Sequence, residues 1–164
     1  MKAVVVPIAE EHIERFHRAL DTVAREKRFL AMLQAPPLEG LRAFVLDNIR
    51  NGHPQFVAFV GEELVGWCDI IPGGRESFRH VGGVGMGLIP AYRGKGIGRA
   101  LMEATIASAW RWGMTRIELD VREDNLPAIA LYRKLGFVQE GLKRNALRVD
   151  GRYANVIVMA LVES

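Results

Sequence analysis

The stretch Val81-Gly82-Gly83-Val84-Gly85-Met86-Gly87-Leu88-Ile89-Pro90-Ala91-Tyr92-Arg93-Gly94-Lys95-Gly96-Ile97-Gly98-Arg99 decides the fold. From Val81 to Leu88 it alternates with a period of two, so Val84, Met86 and Leu88 fall on one face of a strand and Gly83, Gly85 and Gly87 on the other. Glycine weakens a strand, so a face made of glycines points to something that approaches the backbone closely, either a ligand or a neighbouring helix. Pro90 closes the strand, and from about Gly98 to Trp112 the apolar spacing becomes helical. Between them, Arg93 to Arg99 is a glycine-rich connection in which consecutive backbone N–H groups converge on an anion at the positive end of a helix, with Arg93, Lys95 and Arg99 adding side-chain charge. That is the physics of a diphosphate cradle; a glycine-rich turn with basic surface residues is the plainer alternative.

Two common diphosphate sites fail on spacing. The dinucleotide fingerprint G-x-G-x-x-G, begun at Gly94, finds Arg99 where its third glycine belongs. The P-loop needs Ser or Thr after Gly-Lys and a glycine five residues earlier, but Gly96 follows Lys95 and the earlier position is Ile89.

Working outward, Lys2 to Ile8 reads as a strand, followed by a helix in which Ile13, Phe16, Leu20 and Val23 recur at helical spacing. Pro36 and Pro37 interrupt the chain, and a second helix runs from Leu38 to Asn51, stopped by Gly52. Phe56 to Val60 and Leu64 to Ile71 flank Gly61 as a hairpin, and Pro72, Gly73 and Gly74 end it. Beyond the glycine strand and its helix, Arg116 to Val121 is a strand, Leu126 to Leu135 a short helix, and Phe137 to Arg144 and Tyr153 to Leu161 strands, the last two joined by a turn at Asp150-Gly151. The order gives an α/β (α+β) fold over residues 1–164 as one domain, since no linker or repeat divides it.

Composition narrows the function further. Charged residues are 25% of the chain and the net charge is only +3, with Lys and Arg scattered, so no nucleic-acid partner is expected. No apolar run approaches the roughly 18 residues that span a bilayer, and Met1 to Pro7 has no signal-peptide pattern, so the expectation is a cytoplasmic protein with no membrane partner. Cys68 stands alone between apolar neighbours and is expected to be a buried thiol without chemistry. The spacing of His12, His17 and His53 fits no metal site, and none is expected.

A second constellation lies downstream. Asn125 is a capping residue, Pro127 suits a first helical turn, and Ala128, Leu131, Tyr132 and Leu135 share a face, on which Tyr132 alone would read as a core tyrosine. Here the sequence resembles the GNAT superfamily of N-acetyltransferases. The family's acetyl-CoA motif, Arg/Gln-x-x-Gly-x-Gly/Ala opening a helix after a strand, is matched by Arg93, Gly96 and Gly98; its second motif, Asn-x-x-Ala, then Leu-Tyr, then Gly-Phe, is matched by Asn125, Ala128, Leu131, Tyr132, Gly136 and Phe137. The resemblance is strong from about Gly61 to Leu161 and weak over the two N-terminal helices.

The resemblance implies a mixed, mostly antiparallel, twisted sheet of about seven strands flanked by about four helices. It implies that Arg93, Gly94, Lys95, Gly96, Ile97, Gly98 and Arg99 bind the CoA diphosphate and that backbone groups of Met86, Gly87 and Leu88 pair with the pantetheine arm. Asn125 would hold the cofactor near its thioester end, and Tyr132 would protonate the leaving thiolate. The reaction is direct attack of a neutral amine on the thioester, with no covalent enzyme intermediate. Because most amines are protonated at neutral pH, a base is also needed. In the ribosomal alanine N-acetyltransferases, a branch this region resembles, the base is a glutamate twelve positions before the tyrosine, which falls on Asp120; Glu118, His80 and water are the alternatives, and the glycine strand carries no acid. The expected activity is acetyl transfer from acetyl-CoA to a small-molecule amine or a peptide acceptor. A non-catalytic acyl-CoA-binding regulatory module and an interaction protein remain open, as does pairing into a homodimer.

Overall fold

The structure is a computed structural model that describes residues 2–163. Its strands are β1 (Ala3–Pro7), β2 (Gln55–Val60), β3 (Glu63–Pro72), β4 (Val81–Leu88), β5 (Arg116–Arg122), β6 (Val138–Val149) and β7 (Arg152–Val162), and its helices are α1 (Ile13–Arg25), α2 (Leu38–Asn51), α3 (Ile97–Trp112) and α4 (Leu126–Lys134). The strands form one mixed sheet in the order β1-β2-β3-β4-β5-β7-β6, which puts the glycine strand β4 at the centre. Every neighbouring pair is antiparallel except β4 and β5.

That parallel pair positions the site. β4 follows β3 along its whole length, from Pro72↔Gly82 to Gly66↔Leu88. Its pairing with β5 covers only Val81 to Gly83 against Arg116 to Glu118. Beyond Gly83 the two strands part, so the edge of Val84 to Leu88 that faces β5 has no strand partner. An unpaired edge presents free N–H and C=O groups, and those groups must find partners elsewhere.

Two apolar layers hold the sheet. On one face, α1 sets Ile13, Phe16, Leu20 and Val23 against Val57, Leu64 and Trp67, with Leu41 and Val45 of α2 closing the layer. On the other, Leu101 and Met102 of α3 and Ile129 of α4 meet Cys68, Ile70, Ile117, Leu119 and Met159. Each buried Leu, Ile, Val, Phe or Met side chain of these layers contributes about 1.5–3 kcal/mol.

The elements expected from sequence are present within two residues of their bounds, with one exception. β6 runs on to Val149 rather than ending at Arg144. Its register against β7 shifts between Lys143 and Leu147, Asn145 adopts φ 51°, and the Asn145 N–H donates to Asn155 Oδ1 at 2.9 Å. A bulge therefore absorbs the polar stretch that would otherwise have ended the strand. The turn at Asp150-Gly151 has φ of 52° and 77°, both positive as a two-residue hairpin turn demands.

The glycine face of β4 is overlaid in part by side chains of the adjacent strand β3. A Cβ at Gly87 would collide with the Trp67 ring, and one at Gly85 would lie 2.9 Å from Asp69 Oδ1. A Cβ at Gly83 would meet nothing within 4 Å. The alternation was legible; which strand would lie beside it was not.

Candidate active site

Above the notch between β4 and β5 lies a cavity of about 550 Å³ lined by Met86, Gly87 and Leu88 of β4, the loop into α3, the first turns of α4, and Val23 and Phe29 from the α1 side. The loop supplies Arg93, Gly94, Gly96, Gly98 and Arg99 to it. Gly94 and Gly96 have φ of 74° and 83°, values that a side chain rarely tolerates, and a Cβ on either would project into free space. Gly96 is also the N-cap of α3, where the first intrahelical bond is Ala100 N–H to Gly96 O at 3.2 Å. The N–H groups of Ile97, Gly98 and Arg99 therefore have no helical partner and present an anion site at the positive helix end. Gly98 is needed for a different reason: a Cβ there would lie 3.0 Å from Met86 Cε, so α3 sits directly on the glycine strand. These free backbone N–H groups border the cavity together with Arg93 and with Arg99, whose Nε donates to Glu103 Oε1 at 2.8 Å.

Tyr132 enters the same cavity from α4. It is only 9% exposed, its ring packs against Phe137 at 5.8 Å, and its hydroxyl lies 3.9 Å from Met86 Sδ. Burial pushes its pKa above the ordinary tyrosine value, so the hydroxyl stays protonated throughout the neutral range. Asn125 is the N-cap of α4, with Oδ1 accepting from the Ala128 N–H at 3.4 Å, and it too lines the cavity. Ile97 is buried beneath the cradle, and the Lys95 ammonium stands 5.9 Å over the Tyr92 ring, away from the lining.

Residues 14–137 match the acetyltransferase (GNAT) family. The chain belongs to that family. The L-amino acid N-acetyltransferase AaaT of Escherichia coli (strain K12) is 37% identical over 116 residues, 70% of this chain and 71% of that protein. The N-alpha-acetyltransferase RimI of Mycobacterium tuberculosis is 42% identical over 105 residues, 63% of this chain and 65% of that protein. In fold, a GNAT superfamily phosphinothricin acetyltransferase from Sinorhizobium meliloti in complex with AcCoA superposes with a TM-score of 0.93 at 20% identity, over 100% of this chain and 90% of that one. As a GNAT protein the chain is an N-acetyltransferase, whose acceptor family membership leaves open.

Within this GNAT site Arg93 has a second engagement. Its guanidinium donates to both carboxylate oxygens of Glu26 at 2.9 and 2.5 Å, its Nε donates to Leu88 O at 3.0 Å, and it lies 4.4 Å over the Phe29 ring. The residue thus ties the end of α1 to the end of β4, and Phe29, stacked on its guanidinium, lines the cavity. Sequence gave no signal for this pairing, since the partners are 67 positions apart. Glu26→Ala is expected to cost about 1 kcal/mol in a denaturant titration, a modest value because the pair is partly solvated, and to weaken CoA binding several-fold by freeing the loop. Unchanged CoA affinity in calorimetry would separate the tie from the cradle.

The acids fall on the opposite, α1/α2 face of the sheet. Asp120 is exposed and accepts from Lys143 Nζ at 3.1 Å. Glu118 is held by Arg116, whose guanidinium also binds Glu140. His80 is exposed at the edge of β4, its carbonyl accepting from Thr115 and Arg116 N–H groups. Asp69, which the sequence did not single out, is buried at 8% exposure between β2 and β4. Cys68 beside it is wholly buried with its pKa raised by burial, which leaves it without nucleophilic chemistry. Among the described residues no three His, Cys, Asp or Glu side chains converge as a metal cluster, and no helix is long and apolar enough to cross a membrane.

Proposed function

We propose that the protein moves the acetyl group of acetyl-CoA onto a primary amine borne by an amino acid, another small amine or a peptide N-terminus. The observation that supports this most is the meeting, in one cavity, of the positive-φ glycine cradle, the unpaired edge of β4 and the Tyr132 hydroxyl. The cradle fits a diphosphate because its N–H groups are free and its glycines leave the approach open. The edge of Met86 to Leu88 fits an amide-bearing pantetheine arm, which would continue the sheet as a strand does. When bound, acetyl-CoA supplies an acyl group already activated as a thioester, so the chain needs no nucleophile of its own.

The protein's own residues then do three things. Cradle and strand edge fix the acyl group in place, which removes much of the entropic barrier to attack. Tyr132, kept protonated by burial, donates its proton to the departing thiolate. Asn125, at the start of α4, holds the cofactor near its thioester end. The names of the relatives agree with an amino-acid or N-terminal α-amine as acceptor.

The test is free-thiol release from acetyl-CoA against amino acids, polyamines, aminoglycosides and short peptides with free N-termini. Turnover with one class supports the reading and identifies the acceptor. Failure of CoA to bind in calorimetry would overturn it, while CoA binding without turnover against any amine would favour a regulatory acyl-CoA module.

A further inference from the structure

We infer that Asp69 is the residue that takes the proton from the acceptor amine, and that the amine reaches it over Gly83, from the α1/α2 face. This rests on the transferase reading above.

The geometry begins with strand parity. Asp69 pairs with Gly85 in the register of β3 and β4, and its Oδ1 lies against the bare backbone there, 2.9 Å from where a Cβ would be. Gly85 directly precedes Met86, which lines the cofactor cavity and meets the Tyr132 hydroxyl on the other face. The carboxylate and the phenol therefore stand at the same level of β4 on opposite sides of the sheet. The notch between β4 and β5 opens at this level. An acyl group held in the notch would face the phenol on one side and the carboxylate on the other.

Access comes from the neighbouring position. Gly83, two residues along the same face and so about 7 Å away, has open space above it. It borders a second cleft of about 370 Å³ with Ile71, Phe78 and Glu118. Ile71 is the next residue after Asp69 on that face of β3, so the cleft ends one same-face position short of the carboxylate. Its exposed Phe78 and half-buried Ile71 suit the carbon skeleton of an amine.

Asp69 also has the surroundings of a base rather than of a structural acid. Around it, β2 brings Gln55, whose Nε2 is itself buried without a partner, α2 brings Asn48 bonded to Gln55 Oε1, and α1 brings an apolar face. The charged and titratable groups nearest this side are Glu118 with Arg116, Asp120 with Lys143, Arg75 at the mouth of the cleft, and His53, whose ring Nδ1 hydrogen-bonds Asn48 Oδ1 at 3.1 Å. Among the described residues none forms a hydrogen bond or ion pair with Asp69. Burial alone pushes its pKa up to about 7, which is where a base working near neutrality should lie. Asp120 and Glu118, by contrast, are already occupied by cations.

The transfer balances as follows. The amine nitrogen forms a bond to the acetyl carbon, the carbon–sulfur bond breaks with its electron pair on sulfur, Tyr132 gives the thiolate a proton and Asp69 receives one from nitrogen. Solvent returns the Asp69 proton to the tyrosinate, leaving amide and free thiol.

Asp69→Asn tests this with nearly unchanged shape. With L-alaninamide as the amine, wild-type kcat/KM is expected to rise with a break near pH 7. The variant is expected to lose that break and about 100-fold in kcat, with CoA affinity retained. A wild-type break or a wild-type kcat in the variant overturns the inference. A second measurement needs no acceptor. The folded-state pKa is raised, so the unfolded chain releases this proton first, and the wild type should lose stability relative to Asp69→Asn as pH climbs from about 4 to about 7. Parallel unfolding midpoints across that range also overturn it. If CoA does not bind the wild type, it is the transferase reading that fails.

Discussion

Tyr132→Phe is expected to lower kcat by about 100- to 1000-fold while leaving the affinity for CoA within about twofold, the range that a positioned general acid supplies. The substitution removes one oxygen and little else. The ring keeps its contact with Phe137, and among the described residues the hydroxyl's one partner is a thioether sulfur, a weak acceptor. Stability should therefore stay within about 1 kcal/mol, since no strong hydrogen bond is lost and the phenylalanine fills the same space. Burial raises the pKa of the hydroxyl, so wild-type activity is not expected to decline on the alkaline side until beyond about pH 10, the ordinary tyrosine value. Stopped-time thiol assays under saturating acetyl-CoA, with calorimetry on the same preparations, check both halves. A variant that keeps its rate would reduce Tyr132 to a core residue, and one that loses CoA binding would make it a binding residue instead.

The same tyrosine shows what a sequence can and cannot carry. Its burial follows from the spacing of Ala128, Leu131, Tyr132 and Leu135, but the cavity beside it depends on β4 and β5 parting after Gly83, a property of two strands distant in the chain. The glycine loop was legible because its chemistry is local: positive φ at Gly94 and Gly96 and free N–H groups at a helix start all lie within a few residues. Arg93 was legible as a loop residue and illegible as the partner of Glu26. Asp69 was hidden by its neighbours. In the run Leu64 to Ile71 an acid among apolar residues reads as one imperfection in a strand, and only the pairing of β3 with a glycine strand sets it against bare backbone. A carboxylate inside an apolar strand is a signal in its own right, since burying one without a partner is costly. The place of β7 between β5 and β6 was likewise a tertiary matter. Local chemistry points to the proposed cofactor side, while the proposed acceptor side rests on strand pairing.

Gly96→Val separates the cradle from the fold. Valine at φ 83° and ψ 0° is strained by about 1–3 kcal/mol, and that cost would appear in any measurement of stability. The effect on CoA should be larger and of different origin. A side chain at Gly96 meets no protein atom within 4 Å, so its bulk would stand in the space where a diphosphate must approach the N–H groups of α3. Loss of at least two such charge-assisted hydrogen bonds, at about 1.5–3 kcal/mol each, predicts CoA binding weakened by 100-fold or more. Gly52→Val provides the comparison. Gly52 also has positive φ, 66°, and also has open space around it, but it caps the far end of α2 and does not line the cavity. The two variants should lose similar stability, and only Gly96→Val should lose CoA. Equal loss of CoA binding in both would mean that the cofactor responds to general loosening of the fold; unaltered binding in a folded Gly96→Val protein would remove the backbone cradle from the mechanism.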